Sequence, residues 1–180
     1  MNSPASRSTF LHPVVVRLTH WLNAIVLVVM AGSGLEIFAA FPSFGGKIPQ
    51  HDLIELPEAL RLGGWLGGAL QWHFTFAWLF TAGGMAYVSY QVLSGRWRQT
   101  AFRLSDVRGV WPMVRHYVGL GPLPPFAGEY NPLQKLAYAT TIFFGATAVV
   151  TGLALYKPVQ LGPIVSLARG FDRLVLAHFA

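Results

Sequence analysis

Six histidines occur in this 180-residue chain, and their surroundings sort them into two groups. His12, His51 and His116 fall in polar flanks or loops, where a solvated or interfacial imidazole needs no special account. His20, His73 and His178 lie inside apolar runs, where an ionisable side chain is costly and by default marks a functional position. A buried imidazole can bond across a helix interface, or it can offer one ring nitrogen to a metal while the protein holds the other.

The runs that carry these histidines have the dimensions of membrane spans. Residues Trp72 to Leu93, WHFTFAWLFTAGGMAYVSYQVL, are uncharged and open with Trp72 and His73. About 20 apolar residues rising ~1.5 Å each cross a hydrocarbon core of ~30 Å. Composition agrees, with 53% hydrophobic and 11% charged residues against roughly 25% charged in soluble domains. The 19 glycines and six tryptophans suit close helix approach and the headgroup zone.

A first span is expected over about residues 17–41, with Glu36 near its far end and Pro42 closing it. It is longer than the ~7–15 residue apolar core of a signal peptide, so it reads as a retained span. The loop over 42–71 contains a short amphipathic piece at Pro57–Leu62 and is expected along the membrane surface. The second span, 72–93, ends at Gly95 and the basic residues Arg96 and Arg98. Residues 96–135 form a basic connector with the turn GPLPP. The third span, 136–156, carries a small-residue face of Gly145, Ala148 and Gly152. Residues 174–180 open a fourth span that covers only ~10 Å of helix. The expected fold over 1–180 is therefore a single all-α membrane domain, an up-down transmembrane four-helix bundle with its fourth helix incomplete. No internal repeat stands out.

Basic residues set the orientation. The N-terminal flank and the 96–135 connector hold Arg7, Arg17, Arg96, Arg98, Arg103, Arg108, Arg115 and Lys135 on one side. The other side has Lys47, Arg61, Lys157, Arg169 and Arg173, offset in part by Asp52, Glu55 and Glu58. The positive-inside rule places the N-terminus in the cytoplasm. The same distribution accounts for the net charge of +6 without nucleic acid as a partner. The absence of cysteine excludes disulfides, thiolate-held clusters and covalent haem attachment.

Topology then pairs two of the histidines. The second and fourth spans both enter from the outer side, and His73 and His178 lie near those entries, at one level. Two imidazoles facing across a gap between helices suit a bis-histidine haem, low-spin and closed to oxygen, hence electron transfer. His20 lies near the cytoplasmic side and belongs to another level. Its face continues through Asn23, Ala24, Leu27, Ala31 and Gly34, and Gly34 is expected to leave a side-chain-free spot beside the outer haem. Along the second span, Phe76, Ala77, Phe80, Gly84 and Tyr87 share the face of His73, with Gly84 and Tyr87 expected to border the inner level.

The passages HPVVVRLTHWLNAIVLVVMAGSG, QWHFTFAWLF, YNPLQKLAYATTIFFGATAVVTGLALYKP and ARGFDRLVLAHFA resemble a bacterial b-type dihaem cytochrome family. That family includes cytochrome b561, the Ni,Fe-hydrogenase cytochrome b subunit and the formate dehydrogenase gamma subunit. The resemblance implies two b haems stacked across the bacterial inner membrane, with His20, His73 and His178 matching axial ligands. It also implies a second histidine about four turns further along the fourth span, beyond Ala180, so the inner haem would lack one ligand and the chain reads as truncated. The NPLQK passage is most similar to members paired with molybdopterin oxidoreductases.

The function expected is an integral membrane cytochrome subunit passing electrons between a peripheral redox enzyme and the quinone pool, with no catalytic acid or base of its own. Arg169 and Arg173 are candidates for haem propionates, set against topology or lipid-headgroup contact. The alternative is a haem-free membrane anchor or truncated remnant. A transporter fits less well, since no carboxylate lies at mid-depth.

Overall fold

The computed structural model describes residues 13–41 and 56–180, all helical or irregular. His12 and His51 lie outside these residues. Helix α1 covers Val14–Ala40 and α2 Leu66–Leu93. Three short helices follow or precede longer ones: α3 (Trp97–Thr100), α4 (Val107–Tyr117) and α6 (Gly162–Leu167). Helix α5 covers Pro132–Tyr156 and α7 Phe171–Phe179.

Helix α5 begins with a reciprocal cap. The Asn131 carboxamide oxygen accepts the Gln134 N–H at 2.9 Å, and Gln134 Oε1 accepts the Asn131 N–H at 3.0 Å. Pro132 occupies the first helical position, where no N–H is needed. The NPLQK passage is thus a capping box, and α5 starts four residues before the expected Leu136. Helix α2 also starts early, at Leu66 rather than Trp72, and the Trp65 indole folds over Gly67, where a side chain would collide with it.

The helices assemble as two pairs. Helices α1 and α2 are antiparallel, with Gly34 facing His73 at one end and Asn23 facing Gly83 further along. Helix α5 packs against α7 near Gly152 and against α4, where Gly109 lets the Pro132 ring approach. The two pairs meet at Phe74 and Tyr156, whose ring centres are 5.2 Å apart. They meet again at Phe80 beside Gly145, and at the stacked rings of Phe38 and Phe179, 3.9 Å apart. The Gly145–Gly152 face of α5 therefore receives aromatic and imidazole rings rather than a helix backbone.

Large apolar side chains point outward, among them Trp21, Val28, Trp78, Phe143 and Phe144, each more than half exposed. In water such a surface is unfavourable; in lipid it is the ordinary outside of a span. Helices α1 and α5 are long and apolar enough to cross a membrane, with mean hydropathy 1.9 and 1.6. Helix α2 matches them in length at 28 residues but carries more glycine and tryptophan, which lowers its hydropathy. Helix α7 has nine residues, ~13 Å of rise, less than half a hydrocarbon core. The 96–135 connector is more structured than its sequence suggests: α4 is an amphipathic helix that buries Met113.

Candidate functional site

His73 and His178 face each other across the seam between the two pairs, with ring centres 6.1 Å apart and planes at 79°. Each ring is held by a hydroxyl on a neighbouring helix. Ser33 Oγ on α1 lies 3.1 Å from His73 Nδ1, and Thr151 Oγ1 on α5 lies 2.8 Å from His178 Nδ1. Each ring also rests on a glycine. A Cβ at Gly34 would stand 3.5 Å from His73 Cε1, and one at Gly152 only 3.0 Å from His178 Cε1.

The spacing has a direct chemical reading. Two imidazoles binding one metal ion from opposite sides at about 2 Å each, with each ring centre a further ~1 Å behind its nitrogen, have centres about 6 Å apart. The observed centre-to-centre distance of 6.1 Å matches that figure. Among the described residues no group of three or more His, Cys, Asp or Glu side chains could hold a metal ion. Two facing imidazoles are the number of protein ligands asked for by a group that brings its own equatorial donors, as haem does. An open, largely apolar cleft of about 270 Å³ borders His178, lined also by Phe144, Thr147, Ala148, Ala177 and Ala180.

The other expected positions sort clearly. His20 is exposed, with its ring edge-on to Trp21 at 5.6 Å, and lies 13 residues before Ser33, ~20 Å along α1. It is not part of the 73–178 pair. Gly34 sits against the His73 ring as its place on α1 predicts, whereas Gly84 faces open space. His116 Nδ1 contacts the Gly121 carbonyl oxygen at 3.1 Å in the turn after α4. Arg169 and Arg173 are exposed, Arg169 with a left-handed backbone, φ 62°.

Sequence reasoning alone does not single out Ser33, Thr151 or the role of Gly152. The signal is present as a short repeat, Ser-Gly-Leu at 33–35 and Thr-Gly-Leu at 151–153. One turn beyond Ser33, the buried Glu36 pairs with Arg61 at 3.3 Å beside a polar cleft that Glu58 and Gly64 also line.

Comparisons with known proteins give the family. The profile of the prokaryotic cytochrome b561 family matches residues 11–180. A protein of Azospira oryzae, provisionally named protein-methionine-sulfoxide reductase subunit YedZ1, is 35% identical over 169 residues, 94% of this chain and 81% of that protein. Proteins provisionally named Ni/Fe-hydrogenase B-type cytochrome subunits share 26% identity in Cupriavidus necator and 25% in Escherichia coli. The alignments cover 87% and 83% of this chain, and the chain spans about three-fifths of those subunits, 62% and 61%. No solved structure matches. With its facing histidines set among lipid-facing helices, the chain belongs to the prokaryotic cytochrome b561 family and is a membrane cytochrome of the b type.

Proposed function

We propose that this chain is an electron-transfer subunit in which His73 and His178 are the axial ligands of one haem b. The observation that carries this reading is the 6.1 Å separation of two rings that are each fixed at Nδ1 by a hydroxyl. Bound there, haem would supply a one-electron carrier. The chain's own residues hold the two imidazoles at a set distance and flank the seam with Phe38, Phe74 and Phe179. His20 is proposed as a ligand at the opposite level.

The partners follow from the relatives' names and from the membrane. A peripheral oxidoreductase of the hydrogenase or sulfoxide-reductase kind is proposed on one side of the electron path and quinone on the other. The similarity of NPLQK to molybdopterin-linked members has a local structural cause in the α5 cap, so it adds little to the choice of partner. The proposed topology is a four-helix arrangement in the inner membrane with the N-terminus and α4 cytoplasmic and the His73–His178 pair near the outer side.

The test is haem quantitation and a reduced-minus-oxidised spectrum on detergent-purified protein, with His73→Ala beside it. A Soret band lost in the variant supports the ligand assignment. A band unchanged in His73→Ala defeats it, and no band in either protein favours a haem-free anchor.

A further inference from the structure

Ser33 and Thr151 do the same thing on different helices. Ser33 Oγ returns its proton to the Val29 carbonyl at 2.7 Å, and Thr151 Oγ1 does so to the Thr147 carbonyl at 2.7 Å. A hydroxyl has one proton and two lone pairs. Once that proton is committed to the helix, the oxygen can only accept from the imidazole. The contacts of 3.1 Å to His73 and 2.8 Å to His178 are then hydrogen bonds only if Nδ1 carries the ring proton. The alternative, a hydroxyl donating to a bare Nδ1, forfeits a 2.7 Å bond to a backbone carbonyl and leaves the proton on Nε2, the nitrogen a metal needs.

Burial makes the arrangement binding. Ser33 is fully buried and Thr151 nearly so, which limits the water that can compete for either oxygen. The residue after each hydroxyl is the glycine on which the ring rests, so hydroxyl and clearance come as one unit, used once on α1 for the ring of α2 and once on α5 for the ring of α7. Back-bonded serine and threonine are common in spanning helices, and Thr81 and Thr141 do no more than that. Ser33 and Thr151 differ in that each also meets a histidine 40 or 27 residues away.

We propose that Ser33 and Thr151 are positioning residues that fix the Nδ1–H tautomer of His73 and His178 and thereby hold down the reduction potential of the haem those rings ligate. This rests on the ligand assignment above. An Nδ1–H shared with an oxygen makes the ring more imidazolate-like and a stronger donor, and that favours the oxidised iron. Loss of the acceptor raises the potential.

The experiment is an optical redox titration of the full chain in detergent, with Ser33→Ala, Thr151→Val and the hydroxyl-retaining Ser33→Thr and Thr151→Ser. Removing either hydroxyl is expected to shift the oxidised-to-reduced equilibrium toward reduced iron by up to about tenfold, which for one electron is about 59 mV. The hydroxyl-retaining variants are expected to titrate as the parent does. If neither Ser33→Ala nor Thr151→Val loads haem but both hydroxyl-retaining variants load with the parent potential, the proposal also stands. Parent potentials in both hydroxyl-free variants overturn it, as does failure of the hydroxyl-retaining variants to load along with the hydroxyl-free ones. A parent chain without haem, or His73→Ala with an unchanged Soret band, overturns the ligand assignment itself, before any hydroxyl variant is measured.

Discussion

Gly152 lies so close to His178 that a methyl group at residue 152 would stand 3.0 Å from the ring carbon Cε1. At Gly34, against His73, the same methyl would have 3.5 Å, an ordinary contact. The two seats are alike in design and unequal in tolerance.

Substitution should expose that inequality. Gly152→Ala is expected to push the His178 ring aside, at about 1–3 kcal/mol of overpacking, and to lower haem occupancy. Gly34→Ala is expected to load as the parent does. Haem-to-protein ratios after identical purification check both, and equal ratios would refute the difference.

The Glu36–Arg61 pair should respond asymmetrically. Glu36 is the more buried partner, its side chain 11% exposed against 28% for Arg61. Arg61→Ala leaves a buried carboxylate without its cation, whereas Glu36→Gln leaves an arginine that can turn outward. We expect a loss of about 2–3 kcal/mol for the former and about 1 kcal/mol or less for the latter. Thermal unfolding in one detergent compares them; a larger loss for Glu36→Gln contradicts the burial argument.

The α5 cap should carry measurable stability. Asn131→Ala removes the acceptor for the Gln134 N–H and the bond from Asn131 Nδ2 to the Tyr117 hydroxyl at 3.2 Å. The expected cost is about 1–2 kcal/mol. Asn131→Asp, which keeps the accepting oxygen, should recover most of it, and a melting temperature as low as that of Asn131→Ala would show that the cap is not the cause.

Asp106 supplies a pH dependence with a definite sign. The Arg103 backbone N–H at 2.9 Å, and then the Lys135 ammonium at 3.1 Å, hold its carboxyl below the ordinary carboxylate range. A carboxyl with a lowered folded-state pKa stabilises the fold fully above its unfolded value, about pH 4, and that contribution disappears as pH falls through the lower folded value. Asp106→Asn should therefore be less stable than the parent near neutral pH, with the gap narrowing as pH drops below about 4. A gap that stays constant with pH would assign the effect to something other than this charge.

Much of the site is legible in the sequence, because an imidazole in an apolar run stands out and chain direction alone brings His73 and His178 to one level. The helix starts are less legible. Gly67 and Gly68 argue for a loop until Trp65 is seen to fold over the first of them, and the polar Gln134 and Lys135 hide a helical first turn that Asn131 and Pro132 in fact announce. Helix α4 is hidden inside a connector whose arginines dominate its composition. The hydroxyl supports are the least visible, since a serine or threonine in a span has a sufficient local role, and only the fold brings Ser33 to His73 or Thr151 to His178.

Each histidine of the facing pair belongs to a different half of the molecule, His73 to the α1–α2 hairpin and His178 to the α5–α7 unit, and direct contacts between the halves include several ring pairs and Phe80 against Gly145. A group ligated by both rings is consequently a cross-brace. Its binding energy would also be docking energy between the halves, so assembly and loading would be coupled, and scarcity of such a group would be felt as looseness along the seam.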